Sequence, residues 1–162
     1  MSQKSGDSFE KKVSKELKQY LLGIPVSIKP DIKIGGHKQD LVLYYSKRPL
    51  YIIQCKAVTS MKQTTFRNQM DRAKALFFDL LHPQQCTYAK LAVIVPQSRF
   101  VTERARGEFK RHDIKLLQKT PKELELFVKK DIRPVVDSKI KRKKYLRKWY
   151  KKKYGHKPKQ RN

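Results

Sequence analysis

The chain has 162 residues, of which 40 are Lys or Arg and 14 are Asp or Glu, so its formal net charge is +26. A surplus of this size predicts a polyanionic partner. Nucleic acid fits that role better than a membrane surface, because the body of the chain has no long helix with an apolar face opposite a Lys/Arg face.

The first helix is predicted over residues 7–22, where apolar residues recur at helical spacing. Asp7 can cap this helix, and Glu10 stands three residues further on, as a capping box requires. Gly23 and Pro25 end it.

Three strands are predicted next, and the last two form a hairpin. The first covers residues 26–34, and the others cover residues 40–45 and 50–57, joined by a short turn over residues 46–49. The third strand is almost wholly apolar until Gln54, which is typical of a central strand covered on both faces.

The second half of the chain predicts two helices, two strands and a further helix start. A helix is expected over residues 64–81, a buried strand over 89–95, a basic helix from Thr102 to about residue 112, and a short strand over 114–117. Thr120 and Pro121 then open another helix, with Glu123 at the capping-box position. The order predicts an α/β fold with an αβββαβ core and a mixed sheet flanked by helices.

The hairpin gathers polar side chains at one point. Pairing Tyr45 with Leu50 across the turn brings Asp40 close to residues 54–56. Gln54 and Lys56 are two residues apart and project from one face, whereas the intervening Cys55 points to the other. Carboxylate and amide oxygens can bind a divalent cation there, beside an ammonium group that can reach a phosphate.

These residues, in this order, resemble the PD-(D/E)xK nuclease superfamily, which has the restriction-endonuclease-like fold. The resemblance covers roughly residues 6–95 and is closest to the archaeal Holliday junction resolvases and Mrr-type endonucleases. The matching positions are Gly6-x-x-Phe9-Glu10, Asp40, Gln54-x-Lys56 and Gln69.

The resemblance implies a metal-dependent DNA endonuclease of the junction-resolving or homing type, working as a homodimer. Glu10, Asp40 and Gln54 would bind Mg²⁺ or Mn²⁺, Lys56 would orient the nucleophile, and Gln69 would lie beside the site. All five are predicted catalytic residues.

Two positions depart from the pattern of that superfamily. Gln39 stands before Asp40, where the superfamily has Pro, and Gln54 stands where it commonly has a second acid. An amide oxygen can bind Mg²⁺ but brings no charge, so weaker metal affinity is expected unless Glu10 compensates.

Each site residue also has a simpler interpretation. Glu10 could complete the capping box of Asp7, Asp40 could be a turn residue, residues 54–56 could form a solvated strand end, and Gln69 could be a surface amide. The alternative function is a structural nucleic-acid-binding protein, for example a ribosome-associated one, that retains a nuclease-like fold without catalysis.

We expect a nuclease-like domain over residues 1–132, with its core at 6–95 and an α-β-α extension at 96–132. A basic nucleic-acid-binding tail would follow over residues 133–162. Aromatic residues among the cations of this tail favour phosphate neutralisation combined with base stacking. The predicted nucleic-acid contacts are Arg67, Arg104, Arg106, Lys143, Lys144, Arg147, Lys148, Trp149 and Tyr150.

The cysteines and histidines indicate neither a zinc site nor a disulfide framework. The two cysteines, Cys55 and Cys86, lie outside any C-x-x-C pair, and the four histidines are scattered, so no zinc site or disulfide framework can be read. No apolar run approaches the roughly 20 residues of a membrane span. A reducing interior is therefore expected, either a nucleoid-associated position in the cytoplasm or another nucleic-acid compartment.

Overall fold

The computed structural model describes residues 3–34, 37–57, 89–98, 101–111 and 113–155. Five strands within these ranges form one sheet in chain order. They are β1 (Val26–Ile34), β2 (His37–Tyr45), β3 (Arg48–Cys55), β4 (Lys90–Val95) and β5 (Ile114–Gln118). The pairs β1–β2 and β2–β3 are antiparallel, and the pairs β3–β4 and β4–β5 are parallel. The predicted mixed sheet is confirmed.

Helices lie against this sheet and extend beyond it. They are α1 (Gln3–Tyr20), α2 (Glu103–Arg111), α3 (Pro121–Phe127), a π-helical turn (Val128–Ile132) and α4 (Arg133–Tyr154). None of the helices described combines the length and the apolar character that crossing a bilayer requires. The helix predicted over residues 64–81 lies outside the described residues.

Two apolar layers cover the two faces of the sheet. Leu17 of α1 and Phe127 of α3 pack in the layer that contains Ile53 of β3. Ile52, one residue earlier on the same strand, belongs to the opposite layer with Phe109 of α2. Each fully buried side chain of this size stabilises the fold by roughly 1.5–3 kcal/mol. The prediction that β3 is a central strand covered on both faces is therefore confirmed.

The hairpin register differs from the prediction. Tyr45 pairs with Arg48, not with Leu50, around a two-residue turn in which Ser46 has a φ of 58°. Such left-handed turns match the twist of a hairpin. An irregularity between Leu43 and Tyr44 then shifts the pairing by one residue, as a β-bulge does.

The first helix begins earlier than predicted. Because α1 starts at Gln3, Asp7 lies inside the helix and cannot be its N-cap. Gly6 is tolerated in the helix interior, where it costs about 1 kcal/mol relative to Ala. The capping-box interpretation of Glu10 is therefore wrong.

The predicted boundary between domain and tail falls inside a helical stretch. Residues 121–154 are helical throughout, and Val136 is fully buried in the layer beneath α1. Ile140 also packs against this layer, whereas residues 141–149 are exposed. The part of α4 that leaves the core is residues 141–154, which we call the arm.

Candidate active site

Strands β2 and β3 separate at Asp40. Their backbone pairing ends at Leu41 and Ile53. Just beyond this pair, the Asp40 Oδ2 accepts a hydrogen bond of 2.7 Å from the backbone N–H of Cys55. The backbone N–H of Lys56 still donates to the Ile94 carbonyl at 3.0 Å, so β3 stays beside β4. The carboxylate oxygen of Asp40 thus replaces the backbone carbonyl that would otherwise accept from the Cys55 N–H.

A left-handed residue in the neighbouring strand changes which way the side chains face. Asp31, in β1, has a φ of 55°, a conformation that Asp tolerates better than most residues. Ile28 packs in the layer beneath α1, but Ile32 packs in the opposite layer, although simple alternation would put both on one face. Gln39 pairs with Ile32, so β2 changes face in the same place.

The Asp40 carboxyl is buried, with 9% of the residue exposed. Burial raises its pKa, while the Cys55 N–H, the charges of Lys56 and Lys38, and a hydrogen bond with Glu10 oppose that rise. Glu10 is half-buried on α1. Two carboxyl groups in contact repel each other when both are ionised, and a shared proton or a bound cation relieves that repulsion.

Gln54 and Gln39 form a buried pair of amides. The Gln54 Nε2 donates a hydrogen bond of 2.7 Å to the Gln39 Oε1, and the two residues are 7% and 6% exposed. Gln39 was not predicted to be part of the site. Its position next to Asp40, on the strand facing Gln54, was the signal that could have found it.

Cys55 and the lysines complete the surroundings of the carboxylates. Cys55 packs in the layer beneath α1, so Gln54 and Lys56 leave the strand on its other side, as predicted. Burial, with the nearby Asp40 and Glu10 charges, raises the pKa of the Cys55 thiol. Lys38 forms an ion pair of 2.7 Å with Asp31 at the exposed rim.

The donor set fits a hard divalent cation. Carboxylate and amide oxygens are the ligands that Mg²⁺ and Mn²⁺ take. Within the described ranges, no three His, Cys, Asp or Glu side chains gather at one point. A cation at this position would therefore depend on Glu10 and Asp40 for charge and on Gln54 for a third oxygen.

The other predicted site residues are distributed differently. Gln69 and Arg67 lie outside the described residues. The Arg104 side chain is exposed and forms a long ion pair of 3.8 Å with Glu108.

Arg106 does not form part of an exposed basic face. Its guanidinium donates to the Glu123 carboxylate at 2.7 Å and to the Leu116 carbonyl at 2.9 Å, and it also reaches the Gln118 amide. These bonds tie α2 to β5 and α3. These bonds give Arg106 a structural role, and its nucleic-acid contact stays a prediction.

The arm carries both cations and aromatic rings. Lys143, Lys144, Arg147 and Lys148 are all exposed. The Trp149 ring meets the Tyr150 ring edge-on, with 5.1 Å between centroids, and 40% of Trp149 is exposed. The Lys153 ammonium lies 4.7 Å from the centroid of the Trp149 ring.

Comparison with known proteins shows a likeness of fold. No family model matches the chain, and no curated protein matches it in sequence. Can2 from Sulfobacillus thermosulfidooxidans, solved in complex with cyclic tetra-adenylate, is similar with a TM-score of 0.53 and 17% identity, over 74% of this chain and 34% of Can2. Protein VC1899 from Vibrio cholerae is similar with a TM-score of 0.50 and 15% identity, over 74% of this chain and 31% of that protein. The chain spans about a third of each of these proteins.

Proposed function

We propose that the protein is a divalent-cation-dependent nuclease that hydrolyses phosphodiester bonds in DNA. The observation that carries this proposal is the buried Asp40 carboxylate, held by the Cys55 N–H where β2 and β3 separate. Glu10 and Lys56 are close enough to influence its ionisation. The resemblance to PD-(D/E)xK nucleases supports the same conclusion.

Energetics favour a functional origin for this cluster. Burying a carboxyl group beside a second one opposes folding unless a bound partner compensates. The neighbouring positions Leu41 and Ile53 are fully buried apolar residues, so an apolar side chain at position 40 would suit the core better. Titratable groups that are retained against such a penalty are typical of functional sites.

The residues divide the work of hydrolysis. Asp40, Glu10 and the Gln54 carbonyl oxygen would hold Mg²⁺ or Mn²⁺, which supplies Lewis acidity toward the phosphate and lowers the pKa of a bound water. The Lys56 ammonium would steady negative charge on the phosphate and orient the attacking water. The Cys55 N–H fixes the Asp40 carboxylate, so little reorganisation is needed during the reaction.

The arm supplies the affinity for a polynucleotide. Residues 141–154 carry nine Lys or Arg and no acidic residue. Neutralising backbone phosphates with such cations releases counterions and dominates nucleic-acid affinity. The exposed face of Trp149 offers an additional surface for base stacking.

Incubation of the purified protein with Mg²⁺, Mn²⁺ or EDTA tests the proposal. The panel contains duplex, single-stranded and four-way-junction DNA, RNA, and cyclic tetra-adenylate, because a protein of similar fold was solved with that ligand. Cation-dependent cleavage that disappears in Asp40→Asn would support the proposal. Binding without cleavage across the whole panel would instead identify a structural nucleic-acid-binding protein.

Two copies of the chain would place two sites on the two strands of a duplex. The homodimer remains a prediction, and light scattering of the purified protein, with and without duplex DNA, measures it directly.

A further inference from the structure

We propose that Gln39 is a positioning residue, which orients the Gln54 amide so that its carbonyl oxygen faces the cation and the substrate phosphate. This inference rests on the proposed function, and it identifies how an amide serves at a position that commonly holds an acid. The observation behind it is the buried hydrogen bond from the Gln54 Nε2 to the Gln39 Oε1.

A glutamine side chain has two chemically different ends. Rotation about the last carbon–carbon bond exchanges the NH₂ donor and the carbonyl acceptor. Gln39 accepts from the Nε2 at 2.7 Å, so the Oε1 of Gln54 points away from Gln39. Both residues are more than nine-tenths buried, and an amide that rotated away would give up a buried hydrogen bond that water cannot replace.

Only an amide needs this arrangement. A carboxylate presents an oxygen to a cation whichever way it turns, whereas a rotated amide presents NH₂ hydrogens, which a cation repels. Orientation by a neighbouring hydrogen bond is therefore worth more for Gln54 than it would be for Glu. Partners of this kind typically change metal affinity about 10–100-fold when they are removed.

The change of face in β2 puts Gln39 where this role requires it. Leu41 packs in the layer beneath α1, and strict alternation would leave Gln39 in that layer too. Because Gln39 pairs with Ile32, beyond the left-handed Asp31, it reaches Gln54 instead. The two departures from the PD-(D/E)xK pattern thus contact each other, which suggests that they form one coupled replacement.

The first test measures metal binding without nucleic acid. Gln39→Met keeps the length of the side chain but removes the acceptor, Gln39→Asn keeps an amide that is too short, and Gln39→Glu keeps an acceptor. Gln19→Met is the matched control, since Gln19 is exposed on α1. We expect Mn²⁺ affinity, measured by calorimetry, to fall about 10-fold in the Met and Asn variants, and to persist in the Glu variant and in the control.

The second test repeats Gln39→Met in a Gln54→Glu background, as a double-mutant cycle. A carboxylate at position 54 needs no orientation, so the effect of Gln39→Met on Mn²⁺ affinity should largely disappear. An equal decrease in both backgrounds, or no decrease in either, would overturn the role of Gln39 while leaving the nuclease proposal intact. If the wild-type protein binds no Mn²⁺ and cuts no substrate, the proposed function fails, and this inference fails with it. Thermal unfolding of each variant confirms that the comparison uses folded protein.

Discussion

Asp40 and Cys55 are joined by a hydrogen bond of 2.7 Å between the carboxylate of one and the backbone N–H of the other. The bond satisfies a strand donor at the place where β2 no longer supplies a backbone acceptor. It also aims a buried carboxylate, because the oxygen that accepts the N–H fixes the direction of the second oxygen. This hydrogen bond therefore lies where the β2–β3 pairing ends and holds the carboxylate of the candidate site.

Asp40→Asn is predicted to abolish cleavage and to stabilise the protein without metal. The Asn carbonyl can still accept the hydrogen bond from the Cys55 N–H. Its neutral side chain avoids the cost of burying a charge, but it binds a cation more weakly than a carboxylate does. The melting temperature without metal at pH 7 should rise by about 2–4 °C for each kcal/mol gained. Retained cleavage would contradict the catalytic role of Asp40.

The stability difference between these two proteins should depend on pH. Burial raises the pKa of Asp40 in the folded state above its ordinary value of about 3.9. The penalty is complete above the folded pKa and is relieved as the pH falls through it, because the folded state then takes up the proton first. Urea titrations from neutral to acidic pH should therefore show the advantage of Asn shrinking. An advantage that grows toward acidic pH would contradict this sign.

Lys56→Ala is predicted to slow cleavage by about 100-fold or more, the size of effect seen when one transition-state donor is removed. Lys56 is half-buried just after β3, and its charge acts on Asp40. Lys47→Ala, at the exposed hairpin turn, is the matched control and should cleave normally. If Lys56→Ala loses its cooperative thermal transition, Lys56 is a structural residue and its assignment fails.

Truncation of the arm is predicted to separate binding from folding. Ending the chain after Arg142 removes exposed cations but keeps Ile140, so the melting temperature should hold. The slope of log affinity against log salt should flatten by about 0.9 for each duplex phosphate that the arm no longer neutralises. Ending the chain after Ser138 also removes Ile140, so the melting temperature of that protein should fall. An unchanged salt slope would leave the arm without a role in binding.

Trp149→Ala is predicted to weaken the binding of single-stranded and branched substrates more than that of plain duplex. Each base that no longer stacks should reduce the binding free energy by roughly 1–3 kcal/mol. Leu146→Ala is the control, since Leu146 is equally exposed on the arm but has no aromatic face. Fluorescence anisotropy at fixed salt compares the two, and equal decreases for every substrate would argue against stacking.

Arg106→Ala is predicted to lower stability, whereas Arg104→Ala is predicted to leave stability unchanged. Removing Arg106 takes the charged partner from the Glu123 carboxylate and a side-chain donor from the Leu116 carbonyl, which should lower the unfolding free energy by about 1.5–3 kcal/mol. Arg104 is exposed, so its removal should spare stability and act only on nucleic-acid affinity. Chemical denaturation distinguishes these outcomes. Unchanged stability of Arg106→Ala would contradict its structural role and favour the predicted nucleic-acid contact.

Local chemistry made part of this fold predictable. Thr120 caps α3 through a hydrogen bond from the Glu123 N–H at 3.2 Å, and Pro121 follows it as expected. The apolar run of β3 identified a central strand. Both features depend on neighbours in sequence, which a single chain displays directly.

Features that depend on distant neighbours were not predictable. Glu123 was expected to complete a capping box, but its carboxylate accepts from the Gln118 N–H and from Arg106. No glycine or asparagine marks the turn at Ser46, so the hairpin register could not be read. Gln39 reaches Gln54 where β1 and β2 change facing beside the left-handed Asp31, an effect that hydrophobic alternation does not reveal.

The unbroken path of α4 has a geometric consequence. An α-helix turns about 100° and rises 1.5 Å for each residue, so the number of residues after the buried Val136 sets both the reach and the azimuth of Trp149. Inserting one residue in the arm would swing the indole by about 100° around the axis. Inserting seven would return it to within about 20° of its original bearing but some 10 Å further out. The length of the arm therefore fixes both the distance and the direction of Trp149 from the core. Binding of a substrate that spans the arm and the candidate site would depend on both.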